Sequence, residues 1–227
     1  MIAKLIAWLG GALFVASLAL TAWWYFVASG RPAPFAGWPA VAVDALLVTG
    51  FAFHHSLFAR DSVKGRLTGI RPTLLRSSYV WVASVLLIAV LLFWRPIGAT
   101  IYAVDGFRAG LHAAVQAVGI ALIARAVSGL DPLELAGIRH VDANSRPEPL
   151  QIAGPYRFVR HPLYTGWMIA LFGTAHMTGD RLAFATLTSL YLVIAMPWEE
   201  RALRKSFGAE YDRYAERVRW RVLPFVY

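Results

Sequence analysis

The chain has 227 residues, of which 58% are hydrophobic and 15% are charged, and its formal net charge is +9. Because a soluble domain of this size carries about 25% charged residues, the composition excludes most soluble enzymes and is typical of a polytopic membrane protein. The sequence contains no cysteine, which excludes disulfides, thiolate metal sites and a cysteine nucleophile.

Six hydrophobic runs predict transmembrane helices, since about 20 apolar residues cross a bilayer. They cover residues 5–28, 38–59, 78–94, 109–128, 162–178 and 182–197. The last two runs are short and are separated only by residues 179–181, so we expect a tight helical hairpin. We therefore predict an all-α polytopic membrane protein with about six transmembrane helices. Residues 1–227 would form a single membrane domain, with four helices within 1–130 and the hairpin within 131–227.

The distribution of basic residues predicts the orientation, because Lys and Arg near helix ends are retained on the cytoplasmic side. With the amino terminus inside, 18 of the 22 Lys and Arg residues fall on cytoplasmic segments. The four on the other side are Arg31, Arg95, Arg108 and Arg181. Both termini are then cytoplasmic. Topology and contact with anionic membrane lipids account for the positive charge, so we expect no binding to nucleic acid.

The segment after Pro197 predicts an amphipathic carboxyl-terminal helix on the cytoplasmic side. Its apolar face would consist of Leu203, Phe207, Tyr211, Tyr214 and Val218, which recur three or four residues apart. Charged residues occupy the other face, so we expect the helix to lie on the membrane surface or over the mouth of the hairpin.

A dense polar cluster lies where the long segment 131–160 meets the fifth run. Arg160 and His161 precede Pro162, which suits the first position of a helix. A helix amino terminus attracts carboxylate groups, which would make this a ligand site. Alternatively, Arg160 is a topology anchor and His161 an interfacial side chain, and the positions by themselves favour this second interpretation.

Glu199 and Glu200 form a second cluster, just after Pro197. Acidic residues are favoured in the first turn of a helix, which explains both without any function. Alternatively, one carboxylate faces the mouth of the hairpin and binds a cationic or hydroxyl-bearing ligand. The hairpin would bring the two clusters to the same membrane face.

The two clusters belong to a longer pattern. It comprises Gly154-Pro155-Tyr156, Arg160-His161-Pro162-Leu163-Tyr164-Thr165-Gly166, Glu199-Glu200, and Phe207-Gly208 with Tyr211, Tyr214, Arg217 and Val218. This pattern resembles that of the integral-membrane methyltransferases, which include isoprenylcysteine carboxyl methyltransferases and phospholipid N-methyltransferases. Segments 55–60, 76–80 and 135–139 are similar to bacterial methanethiol S-methyltransferases and nitrite-reductase-associated membrane proteins. His54 and His140 depart from the pattern of that group.

The resemblance implies an enzyme of the bacterial inner membrane that uses S-adenosylmethionine, held by the carboxyl-terminal helices. No two glycines lie at positions i and i+2, so the chain lacks the Rossmann fingerprint. A cofactor site formed by helices does not require that fingerprint. By position, one side of the cofactor would be lined by Tyr156, Arg160, His161, Pro162, Tyr164 and Gly166. The other side would be lined by Glu199 and Glu200.

The resemblance also implies a small apolar or thiol acceptor, methanethiol in the most similar group. A thiol must lose its proton, because the thiolate is the nucleophile. The candidate catalytic residues are His55, His161 and Glu200, which the sequence does not rank. We expect no metal site, since the adjacent His54 and His55 point about 100° apart on a helix.

Two alternatives stay open. The methyl acceptor could be an isoprenylcysteine carboxylate or a lipid amine, since both occur in the superfamily. The chain could also be a non-catalytic membrane protein associated with nitrogen-oxide metabolism.

Overall fold

The computed structural model describes residues 2–58, 72–139 and 149–226. The motif residues Arg60 and His140 lie outside these ranges. So do four basic residues of the predicted cytoplasmic segments, Lys64, Arg66, Arg71 and Arg146. Contacts divide the chain into two compact units. Unit 1 comprises Met1–Ala99 and Asp131–Pro147, and unit 2 comprises Thr100–Leu130 and Glu148–Tyr227.

Helices dominate both units. In chain order the elements are α1 (Ile2–Trp23, continued by a π-helical turn Trp24–Ala28), α2 (Trp38–Phe58), α3 (Pro72–Phe93), β1 (Thr100–Ala103), α4 (Gly106–Val127), α5 (Pro132–Leu135), a 3₁₀ turn (Gly154–Arg157), α6 (Pro162–Phe172), β2 (His176–Thr178), α7 (Gly179–Phe207) and α8 (Ala209–Arg217).

Five helical segments of the described residues are long and apolar enough to cross a membrane, as in a multi-pass membrane protein. They are Ile2–Ala28, Trp38–Phe58, Leu75–Phe93, Gly106–Val127 and Gly179–Phe207. Helix α6 is apolar but has only 11 residues. It is shorter than the fifth predicted run because it ends at Phe172, where Gly173 caps it, and the chain then forms β2.

The turn expected at residues 179–181 is wrong. The connection between α6 and α7 instead contains β2, which pairs antiparallel with β1. Thr178 then caps α7, because its side chain accepts a hydrogen bond from the backbone N–H of Arg181. In the described residues, the regular elements are therefore helices together with this two-stranded ribbon.

The expected helix boundary at Pro197 is also wrong, since α7 continues through it to Phe207. A proline inside a helix removes one hydrogen bond but does not have to end a long helix that neighbouring elements support. Glu199 and Glu200 consequently lie inside α7 and not in the first turn of a new helix. The break comes at Gly208, whose φ of +53° favours glycine.

In unit 1, glycine and small residues let α1, α3 and the segment around α5 pack closely. A Cβ at Gly10 would lie 2.6 Å from Nε1 of Trp81. The indole N–H of Trp81 donates to the carbonyl of Ile6 at 2.9 Å. The hydroxyl of Ser77 donates to the carbonyl of Gly137, just after α5.

In unit 2, the backbones of α4 and α6 touch at two glycines. A Cβ at Gly119 would lie 2.4 Å from the backbone N of Ala170, and one at Gly166 would lie 2.7 Å from the carbonyl of Gly119. Small residues permit such close helix crossings. The crossing fixes the position of α6, and with it the amino terminus that carries Arg160 and His161.

Candidate active site

A pocket of about 300 Å³ opens in unit 2. One wall is polar and carries Arg160, His161, Tyr164 and Glu199. The other lining residues are mostly apolar or aromatic and include Leu130, Leu150, Leu203, Phe207, Tyr211 and Tyr214. A pocket with few polar groups on an apolar lining suits a small molecule that is itself part polar and part apolar.

The polar wall begins at the amino terminus of α6. Pro162 occupies the first helical position, where its missing N–H is not needed. Two preceding N–H groups are bonded to the segment that follows α8. Arg160 donates to the carbonyl of Trp220 at 2.9 Å, and His161 donates to that of Arg221 at 2.8 Å. The carboxyl-terminal residues therefore hold the start of this wall.

His161 lies between the carboxylates of Glu199 and Glu200 on α7. Its ring is 7% exposed and stacks on Tyr164, with ring centroids 5.3 Å apart. Nδ1 lies 3.5 Å from an oxygen of Glu199, and Nε2 lies 3.4 Å from an oxygen of Glu200. The imidazole is therefore oriented by groups on both of its edges.

Glu200 is buried and faces basic side chains. Its side chain is 7% exposed. It accepts hydrogen bonds from Nε of Arg160 at 2.8 Å and from Nη2 of Arg221 at 3.0 Å. A buried charge requires such partners. Glu200 is not among the pocket-lining residues, so it lies behind the polar wall and not on its surface.

Glu199 lies on the pocket side of the same helix. Its side chain is 41% exposed, and it accepts a hydrogen bond from the hydroxyl of Tyr164. Adjacent residues on a helix point about 100° apart. The two neighbouring carboxylates therefore have different environments, and Glu199 is the one that a ligand can reach.

Three tyrosines complete the pocket. The hydroxyl of Tyr214 donates to the carbonyl of Tyr156 at 2.8 Å. The hydroxyl of Tyr211 is buried and has no hydrogen-bond partner among the described residues. Burial raises the pKa of Tyr211 to about 12, and the nearby Glu200 adds to the effect. Tyr211 thus keeps its O–H at neutral pH, and the residue lines the pocket.

Six of the eight residues predicted to contact a cofactor line the pocket. They are Tyr156, Arg160, His161, Pro162, Tyr164 and Glu199. The other two are not lining residues. Glu200 lies behind the wall, and Gly166 packs against α4, so its small size serves the helix crossing.

His55, the remaining candidate catalytic residue, belongs to unit 1. Its Nδ1 lies 2.7 Å from the hydroxyl of Tyr79 on α3, and its ring stacks on Phe51 with centroids 5.6 Å apart. The ring of the adjacent His54 also stacks on Tyr79, with centroids 5.9 Å apart. These contacts orient the His55 ring within unit 1.

The sequence interpretation missed two polar residues of this site. Arg221 was counted only as a cytoplasmic cation, and Tyr211 only as part of an apolar helix face. The signal for Tyr211 is its hydroxyl group, which this otherwise apolar helix face carries at Tyr211 and Tyr214. No local signal identifies Arg221, because its partner Glu200 is 21 positions away.

Known proteins resemble the chain over most of its length. The family model described as Phospholipid methyltransferase matches residues 113–210. Methanethiol S-methyltransferase 2 of Bradyrhizobium diazoefficiens is 33% identical over 187 residues, which cover 79% of this chain and 71% of that protein. Methanethiol S-methyltransferase of Pseudomonas sp. (strain GM41(2012)) is 35% identical over 189 residues, 80% of this chain and 73% of that protein.

A shorter match relates the chain to a second group of methyltransferases. A probable protein-S-isoprenylcysteine O-methyltransferase of Oryza sativa subsp. indica is 40% identical over 76 residues, 32% of this chain and 39% of that protein. No solved structure matches the chain.

Proposed function

Because this chain is a membrane methyltransferase that belongs to the methanethiol S-methyltransferase family, we propose that it methylates a small thiol. The donor is S-adenosylmethionine, the acceptor is methanethiol and the product is dimethyl sulfide. The bond between the methyl carbon and the donor sulfur breaks as the carbon–sulfur bond of the thioether forms, and the thiol proton passes to a base. The observation that carries the proposal is the pocket of unit 2, in which a reachable carboxylate is combined with apolar and aromatic lining residues.

The pocket residues fit the proposed cofactor. Glu199 can accept hydrogen bonds from ribose hydroxyls or from an ammonium group. The O–H of Tyr211, which has no partner among the described residues, is a donor for an acceptor atom of the ligand. Leu203 and Phe207 provide an apolar surface for an adenine ring. When bound, the sulfonium donor supplies an activated methyl group.

The proposed contributions of the chain are binding and alignment. Tyr156, Arg160, His161, Pro162, Tyr164 and Glu199 form the binding surface. Glu200 and Gly166 do not line this surface but support it. Glu200 does so through its basic partners, and Gly166 through the contact with α4. Methyl transfer is an in-line displacement, which gains most from fixed orientation and exclusion of water.

The three candidate bases differ in their surroundings. Glu200 is the least suited, because its oxygens already accept hydrogen bonds from Arg160 and Arg221 and it does not line the pocket. His161 lines the pocket and is the candidate base of unit 2. His55, beside Tyr79, is the candidate base of unit 1.

We place the enzyme in the bacterial inner membrane as a single membrane domain with both termini in the cytoplasm. In this arrangement α6 is the fifth of six membrane-embedded helices, and its short length puts its amino terminus near the inner surface. The amphipathic α8 follows on the cytoplasmic side, where its basic residues meet anionic lipids. A volatile thiol can then enter from the bilayer and the charged donor from the cytoplasm.

The test is an assay of the purified full-length protein with methyl-labelled S-adenosylmethionine and methanethiol. We expect labelled dimethyl sulfide in the headspace, and strongly reduced release from a Glu199→Gln variant. Label recovered in an isoprenylcysteine ester or a lipid amine instead would assign another acceptor. Absence of turnover with every thiol, despite binding of S-adenosylhomocysteine, would contradict thiol methylation.

A further inference from the structure

Residues 218–222, which we name the carboxyl-terminal strap, follow α8 and run along the start of α6. Besides the two backbone bonds to Arg160 and His161, the hydroxyl of Thr165 donates to the carbonyl of Val222 at 2.7 Å. Val218 and Val222 are 4% and 3% exposed. The strap is therefore bonded to α6 by its backbone and packed into unit 2 by its apolar side chains.

The strap also fixes the guanidinium of Arg160. Nη1 of Arg160 donates to the carbonyls of Val218 and Arg219, each at 2.9 Å. Nε of the same side chain donates to Glu200. A planar guanidinium held along two edges has one orientation. The strap therefore sets how Arg160 is presented to the pocket.

Arg221 is the strap residue that reaches Glu200 with its side chain. Its Nη2 lies 3.0 Å from Oε2, and its Nε lies 3.2 Å from both carboxylate oxygens. The side chain of Arg221 is 29% exposed, whereas that of Glu200 is 7% exposed. Glu200 is thus held between two guanidinium groups, that of Arg160 from α6 and that of Arg221 from the strap.

We propose that Arg221 is a positioning residue for the methyl-transfer site. By pairing with one side of Glu200, it keeps the carboxylate where Arg160 and His161 can both meet it. Arg221 does not line the pocket, so it would act through these neighbours. The inference rests on the proposed function, since it assumes that the wall formed by Arg160 and His161 binds S-adenosylmethionine.

Without Arg221, the buried Glu200 would retain Arg160 and His161 as its basic neighbours. The side chains of Arg160 and His161 would both shift towards the Glu200 carboxylate, because no cation of the strap would attract it from the other side. The pocket wall would then lose its orientation while the rest of unit 2 keeps its packing. We expect binding of S-adenosylhomocysteine to weaken about tenfold in Arg221→Gln, which corresponds to about 1.4 kcal/mol.

The experiment is calorimetric titration of the full-length protein in detergent with S-adenosylhomocysteine. Arg213→Gln is the matched control, because Arg213 is an exposed arginine of α8 that does not line the pocket. We expect wild-type binding in Arg213→Gln, weak binding in Arg221→Gln and an intermediate value in Arg221→Lys, which keeps the charge but not the two-point contact. Wild-type binding in both Arg221 variants would overturn the inference.

A double variant distinguishes positioning from a general loss of structure. If Arg221 acts through Glu200, Arg221→Gln combined with Glu200→Gln binds no more weakly than Glu200→Gln alone. Additive losses would contradict the proposed route. Should Arg221→Gln fail to accumulate in membranes, Arg221→Lys decides the question by the same titration. Failure of the wild-type protein to bind at all would instead contradict the proposed function.

Discussion

Glu199 and Glu200 are neighbours in the chain but belong to different environments. Glu199 lines the pocket with an exposed side chain that accepts from Tyr164, and Glu200 is buried between Arg160 and Arg221. One carboxylate is therefore available to a ligand, and the other maintains the side chains around it.

Neutralising each carboxylate separately tests this difference. We expect Glu199→Gln to weaken binding of S-adenosylhomocysteine with little change in stability, since the side chain is 41% exposed. Glu200→Gln leaves Arg160 and Arg221 without their anion and should lower the free energy of unfolding by about 3 kcal/mol. Thermal unfolding and calorimetric binding of both variants provide the measurement. Equal effects of the two substitutions on both quantities would argue against separate roles.

The buried hydroxyl of Tyr211 gives a second prediction at this scale. A buried donor without a partner costs about 1–3 kcal/mol, and Tyr211 has none among the described residues. Tyr211→Phe should therefore leave stability unchanged or higher while weakening ligand binding. Tyr214→Phe is the control, because it removes a donor that is already bonded to Tyr156 and should lower stability. Unaltered ligand affinity in Tyr211→Phe would show that its hydroxyl does not contact the ligand.

Tyr211 also predicts how the stability of the protein changes at alkaline pH. Burial raises the pKa of Tyr211 from 10.0 to about 12, so the folded state favours the neutral phenol. Its contribution to stability is complete below pH 10 and is lost as the pH rises towards 12. We expect the unfolding midpoint of the wild-type protein to fall more steeply over this interval than that of Tyr211→Phe. Parallel curves would show that Tyr211 does not titrate there.

At the scale of the elements, the position of α6 depends on its contact with α4. Gly119 and Gly166 let the two backbones touch, and a methyl group has no room at either residue. The start of α6 carries Arg160 and His161, so a shift of this helix would displace the polar wall of the pocket.

Gly119→Ala tests the crossing, with Gly110→Ala as the control on the same helix. A Cβ at Gly119 meets backbone at 2.4 Å, whereas one at Gly110 meets nothing within 4 Å. Overpacking should lower the stability of Gly119→Ala by about 2 kcal/mol and reduce methyl transfer. Gly110→Ala should be neutral or slightly stabilising, because alanine favours a helix. Activity and unfolding midpoints that are the same for both variants would contradict this role for Gly119.

Element boundaries could be predicted only in part. The long apolar runs became helices close to the expected positions, because hydropathy is a local property. The ends of the helices were less predictable in the second half of the chain. Pro197 lies inside α7, whereas Gly208 ends it with a positive φ that the sequence signals only through the residue type.

At the scale of the whole molecule, the proposed orientation rests on the unequal distribution of basic residues. The chain contains no cysteine, so single cysteines can report on sidedness without background. Phe107, which is 81% exposed, lies on the predicted outer side next to Arg108. Lys205 is exposed on the predicted cytoplasmic side.

Phe107→Cys and Lys205→Cys variants in intact bacterial cells test this orientation. A membrane-impermeant thiol reagent should label Phe107→Cys in intact cells and Lys205→Cys only after lysis. The reverse pattern would invert the topology and put the pocket residues of α7 on the outer side. Lysed cells, in which both positions should react, provide the control for accessibility.

The sequence by itself determined the membrane class, the bias in charge and the pattern that places the chain among membrane methyltransferases. Hydropathy, charge and motif residues are properties of short stretches of chain, so they can be recognised in the sequence without knowledge of the tertiary structure. Only the tertiary structure decided which carboxylate faces the pocket, that Arg221 pairs with Glu200, that Gly166 packs against α4 and that the Tyr211 hydroxyl is buried. Each of these depends on contacts between distant residues, as with Arg160 and Glu200, which lie 40 positions apart.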